Sequence, residues 1–143
     1  MQIMGDLLTL GRQVLASQPF SVLLEAELVD FSQGRAELSL ALSDRLKQQH
    51  GFVHGGVISY AADSALTFAG GSVLGTAVLS AEFKINYLAP AKGDRLIARA
   101  TVVHAGKMQA VCRCDVLVAD AGGERLCATA QGTIVRSGQL AAA

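Results

Sequence analysis

The fold is decided by two adjoining stretches of sequence, residues 48–56 (QQHGFVHGG) and residues 57–71 (VISYAADSALTFAGG). The first is polar and contains three glycines, which is typical of a loop. The second is apolar almost all round, which predicts a helix over 56–71, buried on most of its sides and ended by its two last glycines. Its one carboxylate is that of Asp63. A lone carboxylate in an apolar helix indicates a functional group.

The sequence on either side of this helix predicts a second helix and several β-strands. Leucine and valine recur at helical spacing over 1–17 and Pro19 stops the pattern, so the N-terminal helical segment is 1–18. A β-rich or alternating composition predicts strands over 21–31, 35–42, 76–88, 94–105, 108–119 and 124–135. Residues 137–143 are expected to form a flexible tail.

One long apolar helix and about six antiparallel strands predict an α+β domain, in which a curved sheet wraps around the central helix. A chain of 143 residues is the size of one domain, so 1–143 is expected to be a single unit. The exposed face of such a sheet would still carry much valine and alanine, and the formal net charge is zero. We therefore expect a homodimer or a homotetramer.

Composition argues against two classes of partner. The 12 basic residues are balanced by 12 acidic ones, so nothing indicates binding to nucleic acid. The apolar run over 57–79 is interrupted by Asp63 and by three glycines, so no membrane-spanning segment is expected.

The N-terminus and the cysteines indicate a cytoplasmic protein. The first ten residues carry Asp6 and lack a basic region, so they do not resemble a signal peptide. The three cysteines are an odd number, and Cys112 and Cys114 would point to one face of a strand, which does not suit a disulfide framework. Reduced thiols in the core are the simpler interpretation.

The glycine pair at the start of the predicted helix has a possible chemical use. The first turn of a helix leaves backbone N–H groups without partners, and the helix dipole favours negative charge there. Glycine lets another atom approach these groups closely. Gly55 and Gly56 can therefore polarise a carbonyl and stabilise an oxyanion. The alternative is that the pair is only a tight turn before a helix.

Asp63 follows Gly56 by seven residues, which places both on one face of the helix, roughly 10 Å apart along the axis at about 1.5 Å per residue. A general base must come within about 3 Å of its target, so the two cannot act together within one chain. Two such helices, antiparallel across a two-fold axis, would bring the glycines of one subunit near Asp63 of the other. The alternative is a structural carboxylate that is satisfied by nearby hydroxyls, those of Ser59, Tyr60, Ser64 or Thr67.

His50 and His54, together with Asp63, could also be interpreted as metal ligands. Gly51 between the histidines argues against a helical pair, and no glutamate follows the first histidine as it does in zinc proteases. We therefore expect no metal ion, and we interpret His54 as a residue that orients the backbone where the helix starts.

The string from Gln48 to Asp63 resembles the motif of the hotdog-fold acyl-CoA thioesterases, in particular of their PaaI-like family. That motif is an Asn or Gln, five residues, His-Gly-Gly, and an acid seven residues after the second glycine. Residues 86–94 (NYLAPAKGD) also resemble the strand end and turn of that family. The resemblance covers about residues 20–136.

The resemblance implies a hotdog fold and the hydrolysis of an acyl- or aryl-CoA thioester, with coenzyme A as part of the substrate and no further cofactor. It implies that the Gly55 N–H polarises the thioester carbonyl, with Gly56 beside it as a substrate-binding residue. It also implies that Asp63 of the facing subunit acts as general base on water, or as nucleophile through a mixed anhydride.

Three further positions receive a catalytic role from the same resemblance. Gln48 would help to place water or substrate, although asparagine is commoner at this position of the family. His54 would brace the loop. Ser80 matches a hydroxyl position that can hold the attacking water.

Substrate binding outside the reacting centre is predicted less specifically. The phosphates of coenzyme A require positive charge, and Lys92 and Lys107, which lie in predicted turns, are the preferred candidates, together with Asn86 at the strand end. Two other functions stay open. The same fold also hosts dehydratases, and the chain could bind acyl-CoA without hydrolysing it.

Overall fold

A computed structural model describes residues 4–138. Two helices, α1 (Met4–Ala16) and α2 (Pro19–Leu23), come first, followed by strands β1 (Glu27–Ser32) and β2 (Arg35–Ala41). A short 3-10 helix, Asp44–Leu46, then leads through a loop to the long helix α3 (Gly55–Leu74). The remaining strands are β3 (Val78–Tyr87), β4 (Arg95–Ala105), β5 (Gln109–Asp120) and β6 (Gly123–Arg136). The predicted tail lies largely outside the described residues, which end at 138.

The six strands form one antiparallel sheet in the order β1-β2-β4-β5-β6-β3, and α3 packs against all six of them. This confirms the predicted α+β architecture, a curved sheet around a long central helix with a further helix at the N-terminus. Because β1 and β3 are at the two ends of the order, each leaves one edge of the sheet unpaired within the described chain.

Small side chains let the helix lie close to the sheet. On the helix the fully buried positions include four alanines, Ala61, Ala62, Ala65 and Ala69. The larger apolar side chains fill the space that these leave, and each fully buried leucine contributes roughly 1.5–3 kcal/mol to stability. These leucines include Leu38, Leu40, Leu66 and Leu96.

The predicted strand over 21–31 is wrong in its first part, because residues 19–23 form α2 and the strand begins only at Glu27. Proline is favoured in the first turn of a helix, so Pro19 starts a new helix after it ends the previous one. Glu25 has a positive φ of 56°, and the chain turns there before it enters β1.

The end of the central helix also differs from the prediction, since α3 continues through Gly70 and Gly71 to Leu74. A Cβ at Gly70 would lie 2.6 Å from the Cβ of Ile134, so glycine there serves close packing against β6. The helix ends instead at Gly75, whose φ of 106° is one that other residues rarely adopt.

By length and composition alone α3 could cross a membrane. However, half of the residues in its most apolar segment are buried within the fold. The surrounding strands therefore account for its apolar character.

The cysteines are buried and free, as predicted for Cys112 and Cys114. Burial raises the pKa of Cys112 to about 11, and burial together with the charge of Asp115 raises the pKa of Cys114 to about 12. These thiols are therefore protonated at neutral pH and suited to packing rather than to nucleophilic attack.

One stripe of α3 is left incompletely covered by the chain's own sheet. The positions recur at helical spacing and none is fully buried: Gly56, Tyr60, Asp63, Ser64, Thr67 and Gly71. Strand β3 forms one of the two unpaired edges of the sheet in the described chain, and most of its residues are exposed. The carboxylate that prompted the functional interpretation therefore lies on the open side of the helix.

Candidate active site

The start of α3 is held by His54. Its backbone is extended (φ −61°, ψ 136°), and its Nδ1 accepts a hydrogen bond of 2.8 Å from the Gly56 N–H. Its carbonyl oxygen accepts from the Val57 N–H at 2.9 Å and, more weakly, from the Ile58 N–H at 3.4 Å. His54 is therefore the N-cap of the helix. This confirms that it orients the backbone at the helix start.

These bonds leave one donor of the first turn open. The Gly55 N–H has no acceptor among residues 4–138, whereas the neighbouring Gly56 N–H is engaged by His54. An open N–H at the positive end of a 20-residue helix can donate to a carbonyl oxygen and stabilise negative charge on it. A side chain at Gly56 would crowd the capping histidine, because its Cβ would lie 3.0 Å from Nδ1 of His54.

Gln48 closes the loop before the helix. Its N–H donates to the Phe52 carbonyl at 2.8 Å, and its carbonyl accepts from the Gly51 N–H at 3.0 Å. Its side-chain Oε1 accepts from the His50 N–H. The amide oxygen is thus used within the loop, which leaves the amide NH₂ group as the part of Gln48 that can donate to a ligand.

Gln48 and Gly55 line the same groove, which has a volume of about 360 Å³. Tyr87 and Ile58 form further parts of its wall, and the turn after β3 closes it. We call Gln48, His54, Gly55 and this groove the amide half-site.

Asp63 opens into a different cavity, of about 300 Å³, between α1, α3 and the start of β3. Its walls are mainly apolar and include Val14, Phe31, Phe68 and Val78. The rings of Phe31 and Phe68 meet edge to face, with centroids 5.4 Å apart. We call Asp63, Thr67 and this cavity the acid half-site.

The Asp63 carboxylate has no close hydrogen-bond donor among residues 4–138. Thr67 Oγ1 lies 3.4 Å from Asp63 Oδ1, but its shorter bond, of 2.8 Å, goes to the Asp63 main-chain oxygen. The hydroxyls of Ser59 and Tyr60 bond elsewhere, to Tyr87 and Ser21. Of the hydroxyls considered for a structural role, only that of Thr67 contacts the carboxylate among residues 4–138, and this hydrogen bond is long.

The structure thus places three of the predicted catalytic residues of one chain in two different cavities. Gln48 and Gly55 share the groove, and Asp63 is in the other cavity. This is the separation expected from the helical rise, and the acid and the open N–H of one chain do not face a common space.

Ser80 lies in neither cavity. It is exposed on β3, where it pairs with the buried Ile134 and so faces the helix side of the sheet. Asn86 points to the opposite side, where it lines a depression of about 140 Å³ with Lys84 and Arg113.

The two predicted phosphate ligands are exposed. Lys92 lies in the turn after β3, directly after the residues that close the groove, and its carbonyl accepts from Arg125 Nη2 at 2.7 Å. Lys107 lies in the turn between β4 and β5. Among residues 4–138, no three His, Cys, Asp or Glu side chains are grouped so that they could hold a metal ion.

Tyr87 is a site residue that the sequence did not single out, although it lies within the quoted stretch 86–94. Its hydroxyl lies 2.5 Å from Ser59 Oγ and donates to the Gly55 carbonyl at 3.1 Å. No local pattern could have found this contact, because it joins residues 32 positions apart.

Gln18 is a second residue that the sequence did not reveal, and it lines the cavity of Asp63. Its Oε1 accepts from Ser21 Oγ at 2.6 Å, and Ser21 Oγ accepts from the Tyr60 hydroxyl at 2.5 Å. This chain of bonds ties the segment between α1 and α2 to the central helix. This arrangement uses the side-chain oxygen of Gln18, so its amide NH₂ group remains able to donate to another group in the cavity.

Known proteins with similar sequences and structures share this architecture. Residues 50–125 match the family model of the thioesterase superfamily. A protein of Archaeoglobus fulgidus, provisionally named an esterase, is 30% identical over 115 residues, which are 80% of this chain and 72% of that protein.

Two solved structures extend the comparison. A thioesterase family protein from Silicibacter pomeroyi superposes with a TM-score of 0.83 at 37% identity, over 87% of this chain and 93% of that one. The PaaI protein from the phenylacetic acid degradation operon of E. coli superposes with a TM-score of 0.80 at 23% identity, over 92% of this chain and 96% of that one, and so supports the fold. The resemblance to the hotdog thioesterases is confirmed.

Proposed function

The chain belongs to the thioesterase superfamily, and on that premise we propose that it hydrolyses an acyl- or aryl-CoA thioester to the free acid and coenzyme A. Membership of the superfamily supports the hydrolysis of acyl thioesters in general. The coenzyme A moiety, the residue roles and the shared site described below are the finer parts of the proposal.

The amide half-site supplies electrostatic stabilisation. The thioester carbonyl oxygen accepts from the open Gly55 N–H, and the negative charge that develops on this oxygen lies at the positive end of α3. A donor placed in this way lowers the barrier by about 2.7–4 kcal/mol in comparable sites. The Gln48 amide NH₂, which lines the same groove, places the water or the substrate.

The acid half-site supplies the proton acceptor. Asp63 takes a proton from water while the water oxygen attacks the carbonyl carbon, and the tetrahedral intermediate then expels the thiolate of coenzyme A. A carboxylate whose one side-chain hydrogen bond within residues 4–138 is 3.4 Å long is free to accept that proton. Direct attack by Asp63, through a mixed anhydride, is the alternative route for the same group.

The two half-sites act together across a homodimer. The partly uncovered stripe of α3 carries Asp63, and Val78 at the start of the edge strand β3 lines the same cavity, so a second copy can cover both. A two-fold axis then sets the groove of one subunit against Asp63 of the other and creates two sites. Ser80, exposed on β3, is in this arrangement a candidate for holding the water. Assembly of two such dimers into a tetramer is compatible with the same sites.

The cavity beside Asp63 is proposed to hold the acyl group. Its volume of about 300 Å³ is about twice that of a cavity that accommodates benzene, about 150 Å³. It therefore suits one substituted ring or a short chain, and the edge-to-face pair of Phe31 and Phe68 suits an aromatic group. Lys92, Lys107 and Asn86, all exposed, remain the candidates for the coenzyme A portion.

The observation that carries the proposal is that one helix leaves two complementary groups open. The Gly55 N–H lacks an acceptor and the Asp63 carboxylate lacks a close donor, each in its own cavity of the described chain.

The test is thiol release from a panel of CoA thioesters with short aliphatic, long aliphatic and aromatic acyl groups. We expect turnover of the aromatic and short members, and a fall in kcat of about 10²–10⁴ for Asp63→Asn. Absence of release across the whole panel would contradict the thioesterase function. Unchanged rates in Asp63→Asn would contradict only the role of Asp63.

A further inference from the structure

Tyr87 lies where the end of β3 passes the first turn of α3. Its hydroxyl donates to the Gly55 carbonyl at 3.1 Å and bonds to Ser59 Oγ at 2.5 Å. Its ring lies beside Gly55, so that a Cβ at that glycine would lie 3.4 Å from the ring and from the hydroxyl oxygen. The side chain is 54% exposed, so its removal would not open a void in the core.

The contact fixes one particular peptide group. The carbonyl of Gly55 and the N–H of Gly56 belong to the same planar unit. Tyr87 holds this unit by its oxygen, and His54 Nδ1 holds it by its N–H at 2.8 Å. A planar group that is held at both ends has little freedom to rotate.

The preceding peptide group carries the open donor. The His54 carbonyl is held by the Val57 N–H at 2.9 Å, and the N–H at the other end of that unit is the open N–H of Gly55. Only the two dihedrals of Gly55 separate the two peptide units, and glycine is the residue with the greatest freedom in these dihedrals. Without the hydroxyl of Tyr87, the direction of the Gly55 N–H would depend on a glycine at a helix end, where helices fray.

We propose that Tyr87 is a positioning residue for the oxyanion-stabilising N–H of Gly55. This inference rests on the proposed thioesterase function. The hydroxyl does not touch the substrate carbonyl, but it restricts the glycine that does, and so sets the donor in place before the charge develops. Preorganisation of this kind affects the transition state more than the bound substrate.

The kinetic test is Tyr87→Phe, which keeps the ring and removes the hydroxyl. We expect kcat to fall about tenfold while KM changes less than about twofold, because a displaced donor retains part of its effect. Ser59→Ala should give a smaller fall. The double variant Tyr87→Phe/Ser59→Ala should be no slower than Tyr87→Phe alone, because Ser59 acts on Gly55 through the Tyr87 hydroxyl.

A second readout does not depend on turnover. Loss of the Tyr87 hydroxyl should accelerate hydrogen exchange of the Gly56 amide severalfold, because the Gly55 carbonyl then keeps only its intrahelical hydrogen bond and the peptide unit is held less tightly. Exchange of the Gly56 amide, measured in ¹⁵N-labelled protein, distinguishes failure of the positioning by Tyr87 from failure of the thioesterase function. If wild type releases no thiol but this exchange accelerates, the positioning by Tyr87 holds and the thioesterase function fails.

The matched control is Tyr60→Phe, which also removes a tyrosine hydroxyl bonded to a serine at 2.5 Å, but away from Gly55. It should leave the Gly56 exchange rate unchanged and affect thermal stability instead. The inference is overturned if Tyr87→Phe, correctly folded, leaves Gly56 exchange unchanged, or if it changes KM alone.

Discussion

The two half-sites lie on one helix but are built in opposite ways. At the amide half-site almost every polar group is engaged: His54 holds the Gly56 N–H, Tyr87 holds the Gly55 carbonyl and Gln48 holds its own loop. At the acid half-site the Asp63 carboxylate accepts, from residues 4–138, only a hydrogen bond of 3.4 Å, and its surroundings are mainly apolar.

The difference suits the roles that we propose for the two groups. A donor that stabilises a developing charge is most effective when it does not have to reorient during the reaction, so the structure restricts everything around it. A base must accept a proton that arrives with water, and a carboxylate already saturated by donors would be a weaker base. In the proposed mechanism Gly55 is therefore held rigidly, whereas Asp63 is left accessible to water.

The largest expected effect tests whether the two half-sites cooperate across a dimer. Asp63→Ala and Gly55→Pro subunits are each expected to be almost inactive, with kcat reduced by a factor of at least about 10²–10³. In a heterodimer, one site combines the intact Gly55 of one chain with the intact Asp63 of the other. Mixing the inactive proteins at equal concentration should therefore restore about a quarter of wild-type activity if subunits assort at random.

Subunit exchange is verified by differential tagging and copurification. The control mixes two separately tagged batches of Asp63→Ala, which should stay inactive. If subunits exchange and no activity returns, the shared site is wrong, and each half-site must work within its own chain.

The next largest effect isolates the open N–H of the amide half-site. Gly55→Pro removes that donor at the first helical position, where proline is tolerated, and His54 already has the extended backbone that a residue before proline prefers. We expect kcat to fall about 10²–10³-fold, measured by thiol release.

The matched control is Gly55→Ala, which adds a methyl group but keeps the donor. Its Cβ would lie 3.4 Å from Tyr87, an ordinary contact, so its activity should stay within a few-fold of wild type. Equal losses in the proline and alanine variants would show that the lost activity comes from crowding rather than from the N–H.

The smallest effect contrasts the stability of the two half-sites. His54→Ala removes the N-cap of α3 and should lower the free energy of unfolding by about 1 kcal/mol, whereas His54→Asn restores a capping side chain. Thr67→Val, at the acid half-site, should change stability less, because its hydroxyl bonds mainly to a main-chain oxygen one turn earlier. Thermal denaturation measures the stability of all three variants. A larger loss of stability for Thr67→Val than for His54→Ala would contradict the expected difference between the two half-sites.

Local sequence features predicted much of the amide half-site. The position of His54 before two glycines and an apolar run indicated a residue that orients the helix start, and its Nδ1 bond to Gly56 has that role. The same apolar run predicted the burial of α3 and the isolation of Asp63. These features depend on neighbours within a few residues, so the sequence contains them directly.

Other features depended on strands that are distant in sequence. The sequence predicts a helix end at Gly70 and Gly71, but α3 continues through both, and Gly70 packs against Ile134 of β6. The strand predicted over 21–31 lost its first part to α2, where Ser21 is bonded to Tyr60, 39 residues away. Tyr87 was missed because its partners on α3 are distant in sequence, and Gln18 was missed because the cavity that it lines is formed only by the fold.

The sequence by itself determined a largely buried helix that begins at a glycine pair and carries one acid two turns later. These properties follow from the helical period and from the rise per residue, which are local. Only the tertiary structure decided which groups stay open. Hydroxyls, amides and carboxylates can bond to any neighbour that the fold supplies, and here the fold supplies Tyr87 to the Gly55 carbonyl but no close donor to Asp63 among residues 4–138.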